Sequence, residues 1–516
     1  MMRFIRKSRV GLVALAGFAL VLTACSPTNG SAGESGGHLT VVKTTAQRTL
    51  DPAHSQAGAV NHGGGGGSNA VFDLLLYHDE DDNIQYVLAE DLSTEDGKTW
   101  ELRLRPGIEF SDGTPLTAEA VKFSWERLLD PALGSTYLQD AARISSIEVV
   151  DETTATFEIV SVDYNFPYTI EISALNWIVP TWADDDRDAF GQNPVGAGPF
   201  VVDSWGADDT LELVRNENYW QDGLPKLNSM TILTNPAATT SADLFRTGAA
   251  QIRLDVRPIS EDELASLNAT SIARYFDGGT YLGFNTARPP FDDVRARQAL
   301  AAAINNEQVN ELAYEGLNIP AETIVAPGSA WYDPSLTQRY DPTFAQDMFN
   351  ELAAEGKPVK FTFVATALAG SAALAQLLPT VLGEYDNVEI QVETIDVANF
   401  VSIVLQERDF DAVGMPAQGV NPALAFAVLG SGGSGQIATS WASPEFEAAL
   451  TASRSSDDPE VVIEAYLAMQ EEILAQVPAH FLTLGSSFVA VADGVDGLIV
   501  TRSGIPIYSE TTYTAP

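Results

Sequence analysis

The chain is expected to fold as an α/β protein, on three observations. Beyond Tyr281, strand-like Val359 to Val364, helical Ala372 to Leu382, strand-like Val388 to Ile395 and Phe410 to Val413 alternate, the pattern of a parallel sheet with crossover helices. Ser443-Pro444 and Asp458-Pro459 each set a capping side chain before a proline, which suits the first turn of a helix. In the second of these helices Val462, Tyr466, Met469, Ile473 and Val477 are spaced to cover one buried stripe.

Taken in order, Leu39 to Lys43 opens the fold as a strand and Leu50-Asp51-Pro52 turns the chain. His62 to Ser68 holds a glycine run able to approach a ligand or to flex. Val71 to Tyr77 reads as a helix. Thr99 to Arg105 reads as a strand with Trp100, Leu102 and Leu104 on one face. Arg105-Pro106-Gly107 and Ser111-Asp112-Gly113 are turn signals. Thr117 is placed to cap a helix that runs to Leu129 with Val121, Trp125 and Leu128 on one side. Ile147 to Ile159 reads as two strands turning near Asp151-Glu152. The Gly/Pro-rich stretch Pro194 to Pro199 leads into strands Phe200 to Trp205 and Leu211 to Arg215. Asp292 or Asp293 is placed to cap helix Val294 to Ile304, and a second helix should end near Gly316. No internal repeat interrupts this order.

The first two dozen residues read as a targeting segment. Arg3, Arg6, Lys7 and Arg9 precede an apolar run, Val10 to Leu22, that is short for a bilayer-spanning helix. Leu22-Thr23-Ala24-Cys25 then matches the lipobox of bacterial lipoproteins, so Cys25 is the expected lipidation site and its acyl chains the membrane anchor. Pro27 to Gly37 is a Gly/Ser-rich tether. Cys25 is the only cysteine, which rules out an internal disulfide, thiol catalysis and cysteine-based zinc sites. Without the basic residues before Cys25, 24 Lys and Arg face 70 Asp and Glu, a formal charge of −46. Such a surface repels nucleic acid and anionic headgroups.

Catalytic patterns fail one by one. Gly97-Lys98-Thr99 resembles the end of a phosphate loop, but Leu92 stands at its first glycine. The glycine-rich Gly430 to Gly435 never sets serine in the G-x-S-x-G frame, the one match, Gly33 to Gly37, lies in the Gly/Ser-rich tether, and no H-E-x-x-H pair occurs among the histidines. Asp79-x-Asp81-x-Asn83 with Glu90 imitates a calcium loop, yet Ile84 occupies the position that needs glycine. No catalytic residue, metal or cofactor is therefore assigned.

Four segments in order resemble the extracellular solute-binding proteins of oligopeptide, dipeptide and nickel ABC importers. They are Leu50-Asp51-Pro52; Ala89-Glu90 with Trp100 to Arg105, Phe110, Asp112-Gly113 and Pro115 to Ala118; Asn193 to Phe200 with Arg215 to Trp220; and Tyr281 to Asn285 with Pro290 to Arg295 and Arg297 to Leu300. The resemblance implies a two-lobed periplasmic-binding-protein-like fold (type II, cluster C) with an extra inserted domain. It implies a signal peptide over 1–24, a tether over 25–38, and a discontinuous lobe I from 39–70, 196–280 and 486–516. It also implies an inserted domain II over 71–195 and a lobe III over 281–485, with hinges near Gly196 to Phe200 and Tyr281 to Asn285.

By the same resemblance the function is capture of a peptide or similar small solute between two lobes, without chemistry. The solute would pass to an ABC permease with its ATPase. The protein would be a monomer, exported and lipid-anchored on the outer face of the cell membrane. Peptide binders of this family hold the free amine with an aspartate after a Gly-Trp pair. Here Gly414 is followed by Met415, and Gln418 occupies the aspartate's place, so a neutral or modified ligand enters the field. The opposite lobe's contact falls at Gln56, Ala57 and Gly58. Phe284, Asn285 and Trp441, with Trp331, complete the expected pocket residues or else fill core. Two alternatives stay open: a lipid-anchored sensor of the same fold, or a secreted lipid-anchored hydrolase.

Overall fold

The computed structural model describes residues 36–54, 66–235, 237–255, 261–267, 269–327, 329, 331–367, 369–419 and 421–515. Its labelled strands are β1 (His38–Lys43), β2 (Ala89–Thr94), β3 (Thr99–Leu104), β4 (Ile144–Val149), β5 (Thr154–Ile159), β6 (Phe200–Trp205) and β7 (Thr210–Arg215). They continue as β8 (Ser229–Thr234), β9 (Ile252–Asp255), β10 (Ala269–Phe284), β11 (Val359–Thr366), β12 (Val388–Ile395), β13 (Ala412–Gly419) and β14 (Ala479–Ala492). Helices used below are α1 (Ala118–Arg127), α2 (Val294–Ala303), α3 (Asn306–Tyr314), α4 (Ala369–Leu382), α5 (Pro444–Ser455) and α6 (Pro459–Gln476).

Among the described residues ten strands form one sheet in the order β12-β11-β13-β10-β14-β9-β1-β8-β7-β6. Each half holds a parallel cluster, β11 with β12 and β13 on one side and β1 with β8 and β9 on the other. Between them lies the long antiparallel ribbon β10/β14, which belongs to both halves. A second, four-stranded antiparallel sheet runs β2-β3-β5-β4.

The burial pattern follows from the sequence periods. Trp100, Leu102 and Leu104 alternate inward from β3 and meet Phe157 of β5 and Trp125 of α1 in the core of the smaller sheet. Leu39, Val41, Ile232 and Ile252 fill a core under the β1 half. The β11 half is packed on both faces, one core built on Phe361, Phe363, Leu300 and Leu378 and the other on Tyr281, Val413, Tyr466 and Met469. Near-continuous apolar strands are what a sheet covered on both faces requires. The proline-capped helices form as expected, the Ser443 side chain accepting from Phe446 N–H and that of Asp458 from Glu460 N–H.

Two elements depart from expectation. Val71 to Tyr77 is not a helix; one turn ends at Val71 and Leu76–His78 pairs with Ile84–Tyr86. The Asn176 carboxamide takes the N–H groups of Leu75 and Leu76, and Gly198 N–H takes the Val71 carbonyl, so tertiary partners replace the helical ones. The strand expected to stop at Val413 runs on to Gly419 because β10 pairs with it residue for residue over Asp277–Phe284. In the acidic turn the Asp79 carboxylate accepts from the N–H groups of Asp81 and Asn83.

Inside the ribbon the register shifts between Phe276 and Thr280 and again before Tyr281. Gly278 and Gly279 take φ of 84° and 132° there. A Cβ on Gly279 would stand 1.9 Å from the Thr483 carbonyl oxygen, so the strands can touch only at glycine. Of the other segment expected as a hinge, Gly196 and Gly198 lie against the Val71 backbone, where the chain passes into β6.

Candidate ligand-binding site

Parallel strands of an open sheet leave a crevice at their carboxyl ends, where the chain peels away into helices. Here β11 ends at Thr366 and α4 begins at Ala369, while β13 passes alongside. A cavity of about 490 Å³ opens at that place. Thr366 and Ser371 close one side, with Thr366 N–H donating to Ser371 Oγ at 2.9 Å. Thr280 and Tyr314 join them. Leu374, Val397, Phe400, Val401, Met415 and Pro416 make most of the remaining wall. Pro416 sits opposite Thr280, in the stretch of β13 beyond Val413 that is paired with β10 alone, an edge where a strand tolerates a residue without an N–H.

Of the residues singled out from sequence, Gly414 and Met415 line this cavity. Gln418 lies on the same strand, two residues on from Pro416, its backbone paired with Gly278. Phe284 is fully buried against Phe291 at 4.8 Å, in a core and away from the cavity wall. Asn285 is buried as a brace whose Nδ2 donates to the carbonyls of Arg408 and Phe410. Trp441 packs on Phe446 at 5.0 Å and Trp331 on Tyr466 at 5.1 Å, both as core contacts. Gln56, Ala57, Gly58 and Cys25 lie outside the described residues. Sequence reasoning missed Thr280, Tyr314, Thr366, Ser371, Leu374 and Phe400. Only Thr366 and Ser371 carried a signal, as the polar residues that follow an apolar strand.

Polar contacts join two further segments that are distant in sequence. Tyr164 N–H donates to the Arg454 carbonyl at 2.8 Å and Asn165 Nδ2 to the Ser453 carbonyl at 3.0 Å, while Asn421 Nδ2 donates to Asn165 Oδ1 at 3.2 Å. The loop after β5 is thereby joined to the end of α5.

At the register shift sits Asp277, fully buried, accepting from Ala326 N–H at 2.9 Å. Burial pushes its carboxyl up to about 7, with Ala326 N–H and Arg502 pulling down and Asp82 pushing up. The folded protein therefore holds a proton that the unfolded chain releases near pH 4. Stability from this group is present at low pH and is lost as pH rises toward 7. The slope approaches about 1.4 kcal/mol per pH unit between those limits. Asp277→Asn is expected to flatten the fall in urea-unfolding free energy between pH 5 and pH 7. An unaltered pH profile would refute the assignment.

A family model described as bacterial extracellular solute-binding proteins, family 5 middle, matches residues 83–436. The glutathione-binding protein GsiB of Escherichia coli K12 is 30% identical over 287 residues, which cover 55% of this chain and 56% of that protein. The match thus spans about half the length of such curated relatives. Among solved structures, a dipeptide-binding protein from Pseudoalteromonas sp. SM9913 in complex with Met-Leu superposes with a TM-score of 0.73 at 22% identity, over 93% of this chain and 100% of that one. The oligopeptide-binding protein AppA of Bacillus subtilis, in complex with a nonapeptide, gives 0.71 at 19% identity with the same coverages. These likenesses establish the two-lobed α/β fold of periplasmic binding proteins.

Proposed function

Because the chain belongs to the bacterial extracellular solute-binding proteins of family 5, we propose that it is the capture component of an ABC importer. It encloses a peptide or similar small solute and hands it to a membrane permease driven by an ATPase. The observation that carries this reading is the cavity at the carboxyl end of β11, alongside β13 and beside the only strands, among the described residues, that belong to both halves of the large sheet. A ligand held there touches a body that can turn on the β10/β14 ribbon, and hinge closure about a few residues is how such a fold traps its solute. Affinity then comes from enclosure, and no bond is made or broken.

Mass spectrometry of the solute that co-purifies with the chain from residue 39 onward tests the reading. Bound peptides are expected. Steady hydrolysis of a peptide or glycoside by the purified protein would overturn it.

We place the protein outside the cell, held by lipid on Cys25. Among the described residues no helix is long and apolar enough to cross a membrane. Cys25→Ser is expected to release the protein into the medium, read by immunoblot of cell and medium fractions. Persistent membrane association would defeat the anchor.

A further inference from the structure

The chain carries 70 Asp and Glu, yet among the described residues the cavity at β11 and β13 has no charged side chain in its wall. The apolar part is Leu374, Val397, Phe400, Val401, Met415 and Pro416. Val397 and Val401 are about half exposed, and both line the cavity. The polar part is hydroxyl only, and much of it is engaged within the wall. Ser371 Oγ accepts from Thr366 N–H, and Tyr314 pairs with Thr280. At about 490 Å³ the space lies within the roughly 300–1,000 Å³ usual for ligand pockets and admits a large side chain.

We propose that this cavity selects an uncharged apolar group on the solute, a large aliphatic or aromatic side chain of a peptide, and discriminates against a carboxylate or an ammonium. The inference rests on the reading of the cavity as the solute site. Its physical basis is one-sided. An apolar group entering here loses water and finds carbon on most sides, whereas a charged group would lose its hydration and meet no counter-ion. The selection differs from that expected for glutathione, whose charged ends and small thiol side chain offer this wall no large apolar surface.

The test is calorimetric titration of the purified protein, freed of solute by unfolding and refolding, with peptides of equal length. The set is all-alanine, then the same peptide with one residue changed to Leu, Phe, Asp or Lys, with glutathione alongside. At the best-placed position Leu or Phe is expected to bind about tenfold or more tighter than alanine, and Asp and Lys weaker than alanine at that same position. Phe400→Ala is expected to shrink the Phe-over-Ala contrast several-fold. Peptides that bind without discriminating Leu and Phe from Asp and Lys would overturn the selectivity while leaving solute capture intact. Failure of every peptide, with no solute found on the purified protein, would overturn both. A contrast that survives in Phe400→Ala with a native melting profile would place the selective pocket elsewhere and overturn the assignment.

Discussion

Gly279→Ala is expected to destabilise the protein by about 4 kcal/mol or more, among the larger effects a single methyl can produce. Two costs add at this position. The backbone holds φ at +132°, where residues with a Cβ are disfavoured, and the added carbon would stand 1.9 Å from the Thr483 carbonyl oxygen. Neither β10 nor β14 can yield freely, since β10 is also paired to β13 and β14 to β9. Gly356→Ala separates the two costs. That glycine has φ of +81° with open space around the missing Cβ, so only the backbone term of about 1 kcal/mol is expected. Urea unfolding of both variants decides the matter. Equal losses would mean that the ribbon moves apart at low cost, and that Gly279 is there for conformation and not for contact.

The same ribbon shows why the fold was only partly legible. Local chemistry was enough for α5 and α6, since Ser443 and Asp458 cap their own helices. It was enough for β3, where alternation alone fixes which face is buried. It failed where breakers are overruled by distant partners. Gly414, Pro416 and Gly419 argue against a strand taken alone, and Gly278-Gly279 argues for a turn. Each stretch is extended because the other lies opposite it, 134 residues away at Tyr281 and Met415. The cavity is harder still to read. Its wall gathers Thr280, Tyr314, Thr366, Leu374, Phe400 and Met415 from separate elements, and only Met415 stood in a stretch comparable with a known family. Phe284 and Trp441 lie in cores, as an aromatic residue near a binding segment serves core packing equally well.

Arg127→Met is expected to cost about 3–5 kcal/mol, for a reason that also lay hidden in the sequence. Leu50-Asp51-Pro52 was readable as a motif, but not what Asp51 does. The structure pairs its carboxylate with the Arg127 guanidinium through two bonds of 2.9 and 2.8 Å, both side chains almost wholly buried. Arg127 Nε also reaches Asp184 at 2.8 Å, and Asp51 Oδ1 accepts from Ala53 N–H. The pair ties the segment after β1 to the end of α1, and so joins the large sheet to the smaller one. Methionine fills the arginine's volume but leaves Asp51 buried with no counter-charge, which costs more than the pair itself contributes. Asp51→Asn in the same chain removes that charge and keeps an acceptor for Ala53. The double variant is therefore expected to recover more than half of the loss in urea unfolding. Strict additivity of the two substitutions would show instead that the damage lies in lost packing, with the guanidinium over the Phe190 ring at 5.9 Å as the contact at fault.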